Sequence, residues 1–308
     1  MALLRNLTLA AVLAVAAVGA ASAQDAQQTP ASAAAFTRAV AKAPPSAEQY
    51  ARWNTHICPS VAGIPPEDAQ RLIDHIALRA HQVGVRTDSS GCSPNLVIVF
   101  APDSDAIAHQ IATTRRDLLG YYNEDDVISG GRADLDAFAN TPRPIRWWHV
   151  ARRTDNDGNP LGDTQARVGH ETHDAVAAAS GDLRASGGNG IAGAETVHSD
   201  GSRMHRSTRQ DLSFALILVD TTRIAGVSPA AVADYVTMAT LVQLDPNADL
   251  SSYPTVLNLF SASAQHPDQM TNWDTAYLAG LYRSRANAAT IGQQRADITN
   301  RIVRQMRN

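Results

Sequence analysis

The densest group of potential metal ligands is the run His170-Glu171-Thr172-His173-Asp174. Zinc peptidases place two histidines four positions apart on one helix face, with a glutamate between them to activate water. Here His170 and His173 are three positions apart, so a shared metal would need a third ligand from elsewhere in the chain. Catalytic ligands also need a rigid element, and the surrounding sequence indicates none. We favour a solvated polar loop and no cofactor, with zinc on His170, Glu171 and His173 as the alternative.

Other motifs with chemical meaning are incomplete. Gly188-x-Gly190-x-x-Gly193 has the letters of the dinucleotide fingerprint but lacks the preceding strand and following helix that this motif requires. Asp155-x-Asp157-Gly158 lacks the distal glutamate of a calcium loop and predicts a hairpin turn instead. The chain has no Gly-x-Ser-x-Gly motif and only one lysine, Lys42. His75, His81 and His109 fall singly on predicted helices and are interpreted as surface or edge residues and not as ligands.

The N-terminus has the pattern of a secretory signal peptide. Arg5 precedes an apolar run from Leu7 to about Val18, and Ala21-Ser22-Ala23 forms a small-x-small cleavage site. The apolar run is shorter than the roughly 20 residues that a membrane-spanning helix needs. We predict that residues 1–23 are removed and that the mature chain is periplasmic or secreted, with no membrane span. The net charge of −4 and the lack of a large basic run argue against nucleic-acid binding.

Two cysteines, Cys58 and Cys92, are present. An even count in an oxidising compartment favours a disulfide over two buried thiols. Zinc binding by the pair alone is disfavoured, since structural zinc takes four ligands.

The elements that would position these residues indicate one α+β domain with a small mixed sheet and a helical C-terminal end. We predict a disordered leader over 24–49, a single domain over 50–308, and a flexible insert at about 169–209, where Gly, Ser, Ala and Asp show no apolar period. Apolar runs and strand-like alternation predict strands at His56–Val61, Leu96–Phe100, Ile145–Arg153 and Ser213–Val219. Capping residues and three-and-four apolar spacing predict helices from Pro65, from Ser104 or Asp105, over Pro229–Gln243, from Thr271 to Tyr282, and over Thr290–Arg304.

The C-terminal third carries a family resemblance. The run Pro254–Phe260, followed by Met270-Thr271-x-Trp273-Asp274-x-x-Tyr277-Leu278-x-x-Leu281-Tyr282, resembles the tail of secreted bacterial zincin-like metallopeptidases. Pro94–Phe100 is similar to their early central strand, and the whole pattern resembles an uncharacterised family of exported alphaproteobacterial proteins. The resemblance implies a zincin-like fold in which the tail helix packs against a metal-binding helix.

The helix in the place of the metal-binding helix departs from that family. Pro229–Gln243 contains no histidine and no glutamate, and only Asp234 and Tyr235 are polar enough for chemistry. If the resemblance holds, this is a degenerate site and no catalytic residue carries over. We therefore favour a non-catalytic protein that binds an unknown protein or peptide partner. The alternative is a metal-dependent hydrolase, a peptidase using His170 and His173.

Overall fold

The structure is a computed structural model, which describes residues 29–120, 127–159, 161, 204–262 and 266–307. Within these ranges the chain forms a five-stranded mixed sheet and seven α-helices, as the predicted α+β class requires. The helices are α1 Pro30–Val40, α2 Pro66–Gln82, α3 Ser104–Thr114, α4 Arg132–Asn140, α5 Pro229–Leu241, α6 Asn272–Arg283 and α7 Ile291–Met306. The strands are β1 Pro59–Ala62, β2 Leu96–Ala101, β3 Val127–Ile128, β4 Ile145–Asp155 and β5 Thr208–Asp220.

The strand order in the sheet is β1-β2-β5-β4-β3. Strands β1, β2 and β5 run parallel, whereas β4 is antiparallel to both β5 and β3. Central β2 alternates between buried and half-buried residues because helices cover both faces of the sheet. The carboxyl ends of three parallel strands therefore meet at one edge, where ligands bind in sheets of this kind.

Two apolar cores lie on opposite faces of the sheet. The larger core contains residues of α1, α2, α5, α6 and α7, and the smaller contains residues of α3 and α4. Adjacent tryptophans on β4 separate to the two sides, as their alternation predicts: Trp147 donates to the Leu244 carbonyl and Trp148 to the Leu119 carbonyl. Both indole N–H groups are therefore satisfied where their rings are packed.

The prediction of a disordered leader over 24–49 is wrong for α1. Phe36 and Val40 are fully buried, and the Phe36 ring lies 5.0 Å from that of Trp273. The run is rich in alanine, but its few large apolar residues share one helix face and pack into the main core. Lys42, which follows α1, forms an ion pair with Asp134.

Other predicted boundaries fall partly outside the described ranges. The signal peptide at 1–23 and the insert from about 169 to 203 lie there entirely, so both stay predictions. The predicted C-terminal boundary of the insert, residue 209, is too late, because β5 begins at Thr208. Thr208 already pairs with Asp155, the last residue of β4. None of the helices that the structure describes is long and apolar enough to cross a membrane.

The predicted disulfide between Cys58 and Cys92 is confirmed, with Cα atoms 6.0 Å apart. It connects the segment before β1 to the loop before β2.

Reducing the disulfide is expected to lower the free energy of unfolding by roughly 3–4 kcal/mol, because the 34-residue separation frees a sizeable loop in the unfolded chain. Urea denaturation with and without dithiothreitol measures the loss. A Cys58→Ser/Cys92→Ser variant should not respond to the reductant; equal stability of oxidised and reduced wild type would contradict the prediction.

Candidate functional site

Asp234, one of the two residues singled out on α5, is held by α2 and by the segment before α6. His75 Nε2 lies 2.6 Å from Asp234 Oδ1, and Arg79 Nη2 lies 3.3 Å from the same oxygen. The second oxygen, Oδ2, accepts a hydrogen bond of 2.6 Å from the Met270 N–H. His75 and Arg79 are four positions apart on α2, so both side chains face α5. One carboxylate therefore connects three segments.

Burial and hydrogen bonding act on this carboxylate in opposite directions. The Asp234 side chain is only 2% exposed, and such burial alone would raise its pKa. Hydrogen bonds from His75 and Met270, together with the charge of Arg79, outweigh burial and hold the pKa of Asp234 below its usual value. Asp234 is therefore ionised, and both of its oxygens already have partners.

Tyr235, the other residue singled out on α5, belongs to the core. Its ring packs against Phe260 at 5.3 Å and Trp147 at 6.1 Å between ring centroids. Burial raises the pKa of Tyr235 to about 12, so the phenol keeps its proton at neutral pH. These contacts give Tyr235 a packing role.

An open groove of about 690 Å³ lies beside Asp234, between α2 and the start of α5. We call it the α2–α5 groove. It lies at the carboxyl ends of β1, β2 and β5, and apolar side chains form most of its lining, chiefly Ile64, Leu72, Phe100, Ile224, Val227 and Val232. Asp68, Arg71, Asp74 and His75 from α2 add charged and polar groups. Leu78, at its α2 side, is 58% exposed and extends the apolar lining to the surface.

A glycine shapes the end of β1 at this groove. Gly63 has a φ of +86°, which favours glycine, and a Cβ there would collide with the carbonyl group of Phe100. The chain can therefore turn from β1 towards α2 in direct contact with the end of β2.

A charge network fixes the turn that follows β5 and carries Ile224 and Val227. Arg223 Nη2 lies 2.7 Å from Asp105, and its Nη1 lies 3.1 Å from Asp220. Arg146, which is 2% exposed, pairs with Asp105 and donates to the Phe138 carbonyl at 2.5 Å. The charges of the two arginines and the two aspartates cancel, so this network has a structural role at the edge of the groove.

His149 on β4 is a half-buried histidine that the sequence did not single out. Its Nε2 lies 2.7 Å from the Ala239 carbonyl on α5, and burial lowers its pKa to about 4. The ring is therefore neutral at physiological pH and donates to that carbonyl. This contact fastens α5 to the sheet.

The predicted site residues are only partly brought together. His170, Glu171 and His173 lie outside the described residues. Over the ranges that the structure covers, no three His, Cys, Asp or Glu residues group as a metal site would require. His75, which we predicted to be a surface or edge residue and not a ligand, is 27% exposed and lies beside Asp234. The i, i+4 spacing of His75 and Arg79 indicates that both side chains lie on one face of α2. The sequence does not show that Asp234 is their shared partner, because that contact depends on how α2 and α5 pack.

No family model matches the chain, and no curated protein or solved structure is significantly similar to it. The resemblance to zincin-like peptidases therefore stays a prediction.

Proposed function

We propose that this chain is an exported binding protein that accepts an apolar side chain of a peptide in the α2–α5 groove, without catalysis by Asp234 or Tyr235. The observation that carries the proposal is the contrast between these two features. Asp234 is buried with both oxygens occupied, whereas the groove next to it is open and apolar. A carboxylate that is 2% exposed and already held by three partners is out of reach of a metal or of a substrate proton.

The groove has the size and composition of a ligand site. Its volume of about 690 Å³ lies within the range of roughly 300–1,000 Å³ that is typical of binding pockets. Apolar side chains supply the contact area, and a few polar groups along α2 supply orientation. Asp68, Arg71 and Asp74 carry charges of both signs, which suits the N–H and C=O groups of a peptide better than a purely apolar ligand.

Filling the groove is expected to abolish peptide binding. Ala230 is exposed, lines the groove and is the second residue of α5, so Ala230→Trp places an indole in the cavity at little cost in folding. The probes are fluorescein-labelled heptapeptides with a central Leu or Phe, and matched peptides with a central Asp. We expect a saturable rise in fluorescence anisotropy for the apolar peptides, weakened at least tenfold by Ala230→Trp.

Ala133→Trp is the matched control. Ala133 is also exposed and is the second residue of its helix, α4, which covers the opposite face of the sheet. This variant should bind like wild type. Binding that is indifferent to the central residue, or equal in both tryptophan variants, would contradict the proposal. So would tightly bound stoichiometric zinc that is lost in His170→Ala, because that result favours the hydrolase.

A further inference from the structure

A second groove, of about 480 Å³, runs along α6 between the end of α2 and the C-terminal part of α7. Arg79 comes from the last turn of α2, Arg283 from the end of α6, and Arg301 and Arg304 from the end of α7. We call it the arginine groove. Arg79 reaches Asp234 from this groove, whereas His75 lines the α2–α5 groove on the other side of the same carboxylate. The two grooves are therefore separate sites.

The charge of the arginine groove is unbalanced. None of the described residues that line it carries a carboxylate. Arg79 pairs with Asp234, and Arg301 pairs with Asp297 at 2.9 Å. Arg283 and Arg304 are exposed and have no ion pair or hydrogen bond anywhere in the described chain. Two positive charges are thus left without a partner among the described residues, in a protein whose net charge is −4.

Helix dipoles explain only part of this arrangement. A cation in the last turn stabilises a helix by about 0.3–1 kcal/mol, which accounts for one arginine at each helix end. It does not account for four arginines from three helices lining one groove, two of them from α7. The Nε–H of Arg79 is also buried and has no hydrogen-bond partner within the described ranges. Neutral polar groups that could assist an anion, on Gln82, Thr275 and Gln305, complete the lining.

We propose that the arginine groove binds a phosphate monoester or inorganic phosphate as a dianion, held chiefly by Arg283 and Arg304. Guanidinium groups present a planar pair of N–H donors that matches two phosphoryl oxygens. A phosphoryl dianion neutralises the two unpaired charges, which a chloride ion or a single carboxylate does not. The phosphoryl group can belong to a soluble molecule or to a lipid headgroup.

The first experiment titrates the mature protein with inorganic phosphate at pH 7.5 by calorimetry. We expect one site per chain, and an affinity at least tenfold weaker in the Arg283→Gln/Arg304→Gln double variant. Arg38→Gln is the matched control, because Arg38 is exposed, lies in the last turn of α1 and has no ion pair among the described residues. It should bind like wild type, and thermal melting of each variant shows that the fold is intact.

The second experiment identifies the source of the phosphoryl group. Flotation with phosphatidylcholine vesicles, with and without phosphatidic acid, tests a lipid headgroup. If flotation requires phosphatidic acid and is lost in the double variant, and phosphate does not bind in solution, the ligand is a lipid headgroup. If phosphate binds in solution and the protein does not float, the ligand is a soluble molecule. No binding in either experiment, or the same loss in Arg38→Gln, overturns the proposal. Neither outcome at the arginine groove tests the proposal that the α2–α5 groove binds a peptide.

Discussion

Replacing Asp234 with alanine is expected to lower the free energy of unfolding by about 3–5 kcal/mol, the cost of breaking a buried charge pair from one side. The substitution leaves the Met270 N–H without an acceptor, and it leaves the partly buried Arg79 without its counter-charge. It also removes the contacts through which Asp234 joins α5 to α2 and to the segment before α6. Urea denaturation followed by circular dichroism measures the loss.

An exposed histidine–aspartate pair is the control for Asp234. His56 Nδ1 lies 2.8 Å from Asp88 Oδ1, with both side chains well exposed. Asp88→Ala should therefore cost no more than about 1 kcal/mol. Similar losses in the two variants would show that Asp234 does not connect the helices as we describe.

The effect of Asp234→Ala should also depend on pH. Because the pKa of Asp234 is lowered in the folded protein, its stabilising contribution is fully present above the unfolded-state value of about 4. That contribution is lost as the pH falls through the folded-state pKa. The stability difference between wild type and the variant should thus narrow below about pH 4; a difference that widens there would contradict the assignment.

Asp274→Ala is expected to cause a comparable loss of about 3–5 kcal/mol. Asp274 is fully buried, and Oδ2 accepts hydrogen bonds of 2.9 Å from the Val256 N–H and the Thr271 N–H. Thr255 donates to the other oxygen through its hydroxyl group. Alanine leaves these donors buried without an acceptor, each at a cost of about 1–3 kcal/mol. Thermal and urea denaturation measure the change.

Asp134 provides a comparison at an equivalent helix position. It is the third residue of α4, as Asp274 is of α6, and it likewise accepts a hydrogen bond from the N-cap N–H, that of Gly131. Its side chain is 30% exposed, so water replaces it when it is removed. We expect Asp134→Ala to cost about 1 kcal/mol, and equal effects at the two positions would refute the role given to Asp274.

The elements that the sequence predicts well combine a clear apolar pattern with a clear boundary signal. Leu96–Phe100 is an unbroken apolar run and becomes β2, and Thr271 with Asp274 forms a capping box that starts α6. Helix α3 is capped by Asp103, one residue before the expected Ser104, because the Asp103 side chain accepts from the Ala106 N–H. Strand β3 was not predicted because it has only two residues, Val127–Ile128, which are too few to show an alternation of apolar and polar side chains.

The candidate site was harder to predict than the fold. Asp234 stands out on α5 because that helix is otherwise apolar, but its partner His75 lies 159 residues away. Nothing local to either residue encodes their contact, which depends on how α2 and α5 pack. The arginine groove was missed for the same reason: Arg79 is distant in sequence from Arg283 and Arg304, and no basic run marks their convergence.

The packing of α1 against α7 has a consequence for the order in which the chain can fold. Thr37 on α1 contacts Thr299 on α7, a separation of 262 residues, and the backbone N–H of Tyr50 donates to Gln294 on the same helix. The Phe36 ring packs against Tyr253, Trp273 and Tyr277, which are also distant in sequence. During translation, the apolar face of α1 therefore stays exposed until α6 and α7 have been made, and this large sequence separation is expected to slow folding and to leave an early intermediate prone to aggregation.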